Sequence, residues 1–248
     1  MTLVKICGIR DAATALAAAE AGADFIGLVF AESRRQVTPQ ACHDIVEALA
    51  ERRRLAPPPA DLGGPARGEV SARSWFPAWA DAIELALARA RPLLVGVFAR
   101  MTPAEVNDIA EAARLDLVQL SGGEDDAFVR AVQRPVLRTI HVREGDDTAD
   151  ITERIIPGLA AATLLDTAVP GALGGTGTAF DWTLAEDVAA RFPVVLAGGL
   201  TPENVGDAVR TVRPWAVDVS SGVETDAAKD PEKIRAFIRA AKGASRDR

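Results

Sequence analysis

The sequence predicts an α/β fold, a single-domain (β/α)8 barrel of the TIM type, on three observations. Eight short apolar runs rich in β-branched residues recur along the 248 residues. The stretches between them carry apolar residues at helical spacing, which gives parallel strands alternating with helices. The last two runs stop at small residues, in VVLAGGL at Val194–Leu200 and VDVSSGVET at Val217–Thr225. Gly198 and Gly199, then Ser220, Ser221 and Gly222, leave backbone N–H groups accessible just before a helix start, where an anion is favoured. Two such turns in succession match the phosphate site of that barrel, so a phosphorylated small molecule is the expected ligand. An open, doubly wound sheet is the alternative; no GxGxxG follows the first strand to support it.

Taken in order, the strand-like runs are Val4–Ile6, Phe25–Phe30, Leu93–Phe98, Leu117–Leu120, Val136–Ile140, Thr163–Leu165, Val194–Ala197 and Ala216–Val219. Runs two and three resemble each other, IGLVFA at Ile26–Ala31 and VGVFA at Val95–Ala99. Three helices are expected to open at Thr38-Pro39, Thr102-Pro103 and Thr201-Pro202, with threonine as cap and proline in the first turn. Glu105 completes a capping box with Thr102. Val106, Ile109, Ala110 and Ala113 form one buried stripe, and Val205, Ala208, Val209 and Val212 another. Residues 1–248 read as one barrel, with an insertion at about 55–91 between helix two and strand three. Its first part, about Leu55–Ser71, is rich in proline and glycine and reads as loop. Trp75, Trp79, Ile83 and Leu87 then recur every four residues, predicting a helix from about Ser74 to Arg89 packed against the outside of the barrel.

Composition bounds the function. The chain is 48% hydrophobic and 25% charged, with net charge −7, ordinary for a globular domain. Without a basic stripe, nucleic acid is an unexpected partner. No apolar run is long enough to predict a membrane span. MTLVKICGI enters a strand at once and lacks the charged and apolar regions of a signal peptide, so a cytoplasmic location is expected. Cys7 and Cys42 are too few for a disulfide framework and have no zinc-ligand company; no metal is expected.

Barrel active sites lie at the C-terminal ends of the strands. Polar residues there are Cys7, Gln119, Asp166 and Ser220, with Asp218 one step deeper. Strand alternation puts Lys5 with Cys7, Leu164 with Asp166, and Asp218 with Ser220. If those faces point inward, a thiol and a carboxylate meet at the barrel mouth above a phosphate site, the acid/base pair an isomerase needs. On position alone Cys7 also fits a small buried hydrophobe, and Asp166 a loop cap. Lys5, if inward, requires a carboxylate partner, with Asp218 on the eighth strand the expected one.

Longer motifs narrow this further. KICGI at Lys5–Ile9, GADFIGLVF at Gly22–Phe30, VQL at Val118–Leu120, LLDT at Leu164–Thr167, GGTGTAFDW at Gly174–Trp182, LAGGLTPENV at Leu196–Val205 and VDVSSGVET together resemble the phosphoribosylanthranilate isomerase family. The resemblance spans nearly the whole chain outside the insertion. It implies a cofactor-free Amadori rearrangement in tryptophan biosynthesis, from N-(5-phosphoribosyl)anthranilate to 1-(2-carboxyphenylamino)-1-deoxyribulose 5-phosphate. By that resemblance Cys7 occupies the general-base position and Asp166 the general-acid position. Arg35, in SRRQVTP, matches the arginine that faces the anthranilate carboxylate, and Gln119 and Asp218 are expected to contact substrate. A free thiol titrates at about 8.5, so the site is expected to favour the thiolate. The resemblance leaves a monomer or a homodimer open.

The chain also departs from the family pattern. QLSG stands where QLHG is usual, so Ser121 replaces a histidine and a changed hydrogen bond is expected. Arg34 stands in place of a proline, and Thr178 where lysine or glutamine is common. His43 is expected at the surface and Cys42 in helix packing; His141, which ends strand five, could enter the site, with a structural role the expectation. Two further readings remain: a related isomerase of the histidine pathway, which by resemblance would carry aspartate where Cys7 stands, and a non-catalytic phospholigand binder, which would have no use for both Cys7 and Asp166.

Overall fold

A computed structural model describes residues 1–53, 61–68, 71–143, 145–166 and 182–245. The eight apolar runs are strands: β1 (Leu3–Cys7), β2 (Phe25–Val29), β3 (Leu93–Phe98), β4 (Leu117–Leu120), β5 (Val136–His141), β6 (Ala162–Asp166), β7 (Val194–Ala197) and β8 (Ala216–Val219). They pair in parallel in chain order, and β8 returns to β1 to close the barrel. Most are buried along their whole length because helices cover one face and barrel side chains the other. Strands β1, β5 and β6 run one residue past the apolar pattern, since Cys7, His141 and Asp166 still pair their backbones with neighbours (Cys7 with Gly27, His141 with Asp166). Those are the polar residues at the barrel mouth.

The outer helices are α1 (Ala12–Ala21) and α2 (Pro39–Ala50), then, beyond the insertion helix α3 (Ala72–Arg89), α4 (Pro103–Ala112), α5 (Asp126–Ala131), α6 (Thr148–Glu153), α7 (Trp182–Ala189), α8 (Val205–Val212) and α9 (Pro231–Ala244). Two of the three Thr-Pro starts behave as predicted. Thr38 accepts the Ala41 N–H, and Thr102 and Glu105 form a reciprocal capping box. The third does not. Helix α8 begins at Val205, and Thr201 to Asn204 form a turn in which Asn204 Oδ1 accepts the Thr201 N–H at 2.8 Å and Asn204 Nδ2 donates to the Gly199 carbonyl at 3.0 Å. Asn204 thus braces the glycine turn after β7. The α8 stripe of Val205, Ala208, Val209 and Val212 is buried, as are Val106 and Ala110 on α4.

Of the insertion, residues 54–60 and 69–70 lie outside the described part. The helix α3 starts two residues earlier than predicted and buries Trp75, Trp79, Ile83 and Leu87 together with Phe76, Ala82 and Ala86. Its position corrects the expectation of packing against the outer wall. Trp75 Nε1 donates to the Ala160 carbonyl just before β6, at 2.6 Å. Phe76 packs edge-on to Phe192, just before β7, and Glu84 accepts the Trp215 indole N–H just before β8, at 2.9 Å. The helix therefore crosses the N-terminal end of the barrel as a plug. Upstream of it, Arg67 donates to the carbonyls of Arg130 and Val132, and a Cβ at Gly64 would overlap the Trp79 ring.

The same end holds two buried carboxylates that tie strand starts together. Asp24 accepts the Val4 N–H at 2.8 Å and pairs with Lys242 and Arg91; Asp116 accepts the Leu94 N–H at 2.6 Å and pairs with Arg53. Among the described residues, no helix is long and apolar enough to cross a membrane.

Candidate active site

Following the register pairs round the barrel puts the predicted polar residues on its inner face. Lys5 pairs in register with Asp218, and its Nζ lies 3.1 Å from both carboxylate oxygens, fully buried. Burial works against the ammonium, but Asp218 and Cys7 outweigh it and hold the Lys5 pKa up. Burial also pushes the Asp218 carboxyl up, with Lys5 pulling the other way and Asp166 adding like charge. Cys7 is buried one layer above, against Val29 and Val97. Gly27 on β2 makes that layer possible, because a Cβ there would stand 2.9 Å from Cys7 Sγ and 3.2 Å from Lys5 Nζ. Burial pushes the Cys7 thiol up, and the Lys5 ammonium only partly offsets it. This is the opposite of the expected depression: a thiol sealed among apolar side chains gains less from one paired ammonium than it loses in solvation.

Across the mouth, Asp166 ends β6 beside His141 at the end of β5. His141 Nδ1 is 3.3 Å from Asp166 Oδ2, and its Nε2 is 3.1 Å from the Ser121 backbone oxygen. His141 thus stands at the mouth, beside Asp166, whereas His43 is exposed and Cys42 buried in α2, as expected. Ser121 Oγ lies 3.0 Å from Thr139 Oγ1 and accepts from Gln119 Nε2 at 3.1 Å. Gln119 is buried, and its Oε1 has no hydrogen-bond partner among the described residues. A buried carbonyl without a protein donor is costly, and it is available to a donor brought by a ligand.

Arg35 is not solvated. Its Nε and Nη2 donate to the two oxygens of Glu224 at 2.6 and 3.0 Å, and Arg34 and Lys229 donate to the same carboxylate at 2.8 Å each. Burial opposes the Glu224 charge, yet Arg35 and Lys229 bring its pKa down to about 2. The methylene stem of Arg35 lies over Gly8, where a Cβ would stand 2.7 Å from Arg35 Cδ.

After β7 the chain turns through Gly198 and Gly199, both with positive φ (95° and 65°), and a Cβ on Gly199 would meet open space. After β8, Ser220 leads into a 3-10 turn (Ser221–Val223). A Cβ on Gly222 would run into the Leu200 carbonyl, so this glycine lets the two turns lie against each other. A two-residue hairpin, β9 (Glu224–Thr225) with β10 (Ala228–Lys229), then folds Lys229 back; its Nζ donates to the Ser220 carbonyl at 2.8 Å. Both turns are free of basic residues in sequence, and neither Lys229 nor Glu224 was among the expected site residues. Neither carries a local signal, because only the hairpin and the distant Arg35 loop give them partners. The GGTGTAFDW segment, including Thr178, lies outside the described residues up to Phe180 and Asp181.

Comparison with known proteins agrees with this geometry. Residues 44–240 match the family model for N-(5'-phosphoribosyl)anthranilate (PRA) isomerase. A relative of that name from Dehalococcoides mccartyi is 40% identical over 253 residues, covering 100% of this chain and 99% of its own length. The crystal structure of phosphoribosyl anthranilate isomerase from Thermotoga maritima is 32% identical with a TM-score of 0.70, covering 98% of this chain and all of that one. A third similar protein, 30% identical with a TM-score of 0.67 over 98% of this chain and all of its own, is a phosphoribosyl anthranilate isomerase solved in complex with reduced 1-(o-carboxyphenylamino)-1-deoxyribulose 5-phosphate.

Proposed function

The chain belongs to the N-(5'-phosphoribosyl)anthranilate isomerase family, aldose–ketose isomerases of tryptophan biosynthesis, and from that premise we propose that Asp166 and Cys7 carry the acid and base steps. The carrying observation is that a carboxylate and a buried thiol end β6 and β1 at one mouth of the barrel, linked electrostatically through Asp218. Asp166 gives a proton to the ribose ring oxygen as the C1–O bond breaks and the nitrogen lone pair forms a Schiff base. Cys7, as thiolate, removes the C2 proton, and the resulting enolamine tautomerises to the ketone. Lys5 stabilises the thiolate at the moment it forms, while Asp218 keeps Lys5 in place.

The substrate's two anions define its orientation. The phosphate is assigned to backbone N–H groups of Gly198, Gly199 and the Ser220–Gly222 turn, with Lys229 adding positive potential beside Ser220. The anthranilate carboxylate is assigned to Arg35, whose Nη1 is not engaged by Glu224. Gln119 Oε1 accepts from a substrate hydroxyl. Turnover of phosphoribosylanthranilate, followed by loss of its fluorescence in wild type, Cys7→Ser and Asp166→Asn, tests the reading. Wild-type turnover that persists in either variant at more than about a tenth of kcat removes that residue from its role.

A further inference from the structure

The imidazole at the mouth has an orientation that its two neighbours settle between them. His141 Nε2 faces the Ser121 backbone oxygen at 3.1 Å. A carbonyl only accepts, so Nε2 carries a hydrogen. The other nitrogen, Nδ1, faces Asp166 Oδ2 at 3.3 Å. A proton on either atom would bridge them, on Nδ1 as imidazolium against carboxylate or on Asp166 as an O–H donating to a neutral ring. With neither protonated, two lone pairs would oppose each other. Among the described residues, Arg154, just after α6, donates to the His141 carbonyl at 3.1 Å and is itself paired with Asp146, Ser121, just after β4, offers its uncharged carbonyl, and Asp218 on β8, paired with Lys5, acts on Asp166.

We propose that His141 is a positioning residue for the reaction: it keeps Asp166 supplied with the proton that opens the ribose ring. This rests on the reading of Asp166 as the acid. When the C1–O bond breaks, its electron pair stays on oxygen and takes the proton from Asp166. Where the resting pair holds that proton on Nδ1, the imidazolium first returns it to the carboxylate, so the ring ends neutral with Nε2–H unchanged. The pair is refilled from water, and the His141 side chain, 53% exposed, is open to it.

His141→Gln keeps a hydrogen-bonding side chain but has no proton to store; His141→Ala removes both. In each, kcat/KM should fall about tenfold or more at pH 8 with KM nearly unchanged, and the deficit should shrink as the pH is lowered towards 5, because acid then refills Asp166 directly. In an Asp166→Asn background, His141→Gln should cost less than twofold, since the residue it acts through is gone. A deficit of the same size at every pH, no deficit at all, or full loss in the Asp166→Asn background would each overturn the proposal. Wild-type activity retained by Asp166→Asn overturns instead the assignment of Asp166 on which it rests.

Discussion

At the residue scale the chemistry turns on protonation states that neighbours impose. Asp166→Asn and Cys7→Ser should each lower kcat by at least ~100-fold, the usual scale of a general acid or base, with little change in KM. Steady-state kinetics with phosphoribosylanthranilate measures both. Cys7 also sets the pH profile. Its thiol is raised by burial, whereas a carboxyl ionises far lower. The productive form, acid protonated and thiol ionised, is then a minority whose share stays level between the two titrations. The profile should therefore be bell-shaped, with its alkaline limb, set by the thiol, above about pH 8.5, the ordinary thiol value. A profile already declining at pH 7.5 would exclude Cys7 as the base. Cys7 and Asp166 were legible as chemical candidates because strand alternation and strand ends are local properties, whereas Arg35 was legible only through the family resemblance. The partners that tune them, Gly27, Glu224, Lys229 and the imidazole of His141, were not, because each meets its site across a strand pair or a hairpin.

At the element scale, the two turns and the inserted helix do separate work. Gly199 has a positive φ and open space above it, so Gly199→Val is expected to raise KM more than it lowers kcat, as phosphate binding is nearly uniform along the reaction. Gly222→Ala should damage the site differently, by driving the β8 turn off the Leu200 carbonyl. The helix α3 crosses the end of the barrel opposite the chemistry, and its Trp75 is 1% exposed. Trp75→Ala should therefore lower stability by about 3–5 kcal/mol, read from denaturant unfolding, and leave kcat/KM at its wild-type value. Replacing Pro57–Ala88 by a short Gly-Ser bridge should cost stability or change oligomer size with normal kinetics; a stable variant with tenfold higher KM would make the insertion a lid instead. The stripe at four-residue spacing announced this helix. Its resting place was hidden, because an apolar face shows that a cover is needed and says nothing of which surface it covers.

At the scale of the whole molecule, closure of the barrel is itself part of the site. Lys5 and Asp218 lie 213 residues apart in sequence and meet only because β8 returns to β1. Lys5→Met leaves the Asp218 carboxylate buried without its partner, a change that costs about 3–5 kcal/mol, or about 6–20 °C in Tm for a domain of this size. Activity should fall with it, since Cys7 loses the ammonium that favours its thiolate. Adding Asp218→Leu should recover much of the Tm, because a matched apolar pair removes the stranded charge. Activity should stay low. Thermal unfolding and kinetics on the same two variants separate the fold's use of the pair from the reaction's.

What the sequence determined by itself was whatever repeats or alternates locally: eight strands, the helices capped at Thr38 and Thr102, the inward faces of β1, β6 and β8, and the glycine turns after β7 and β8. Those follow from backbone sterics and side-chain period, which operate over a few residues. Tertiary structure decided the rest. It sent α3 under the barrel, delayed α8 to Val205 while Asn204 braced the glycine turn, brought Lys229 and Arg35 to one carboxylate, and raised the Cys7 thiol where a depressed one was expected. Each of these depends on solvent exclusion or on charges brought together by distant segments, and neither exists until the barrel closes.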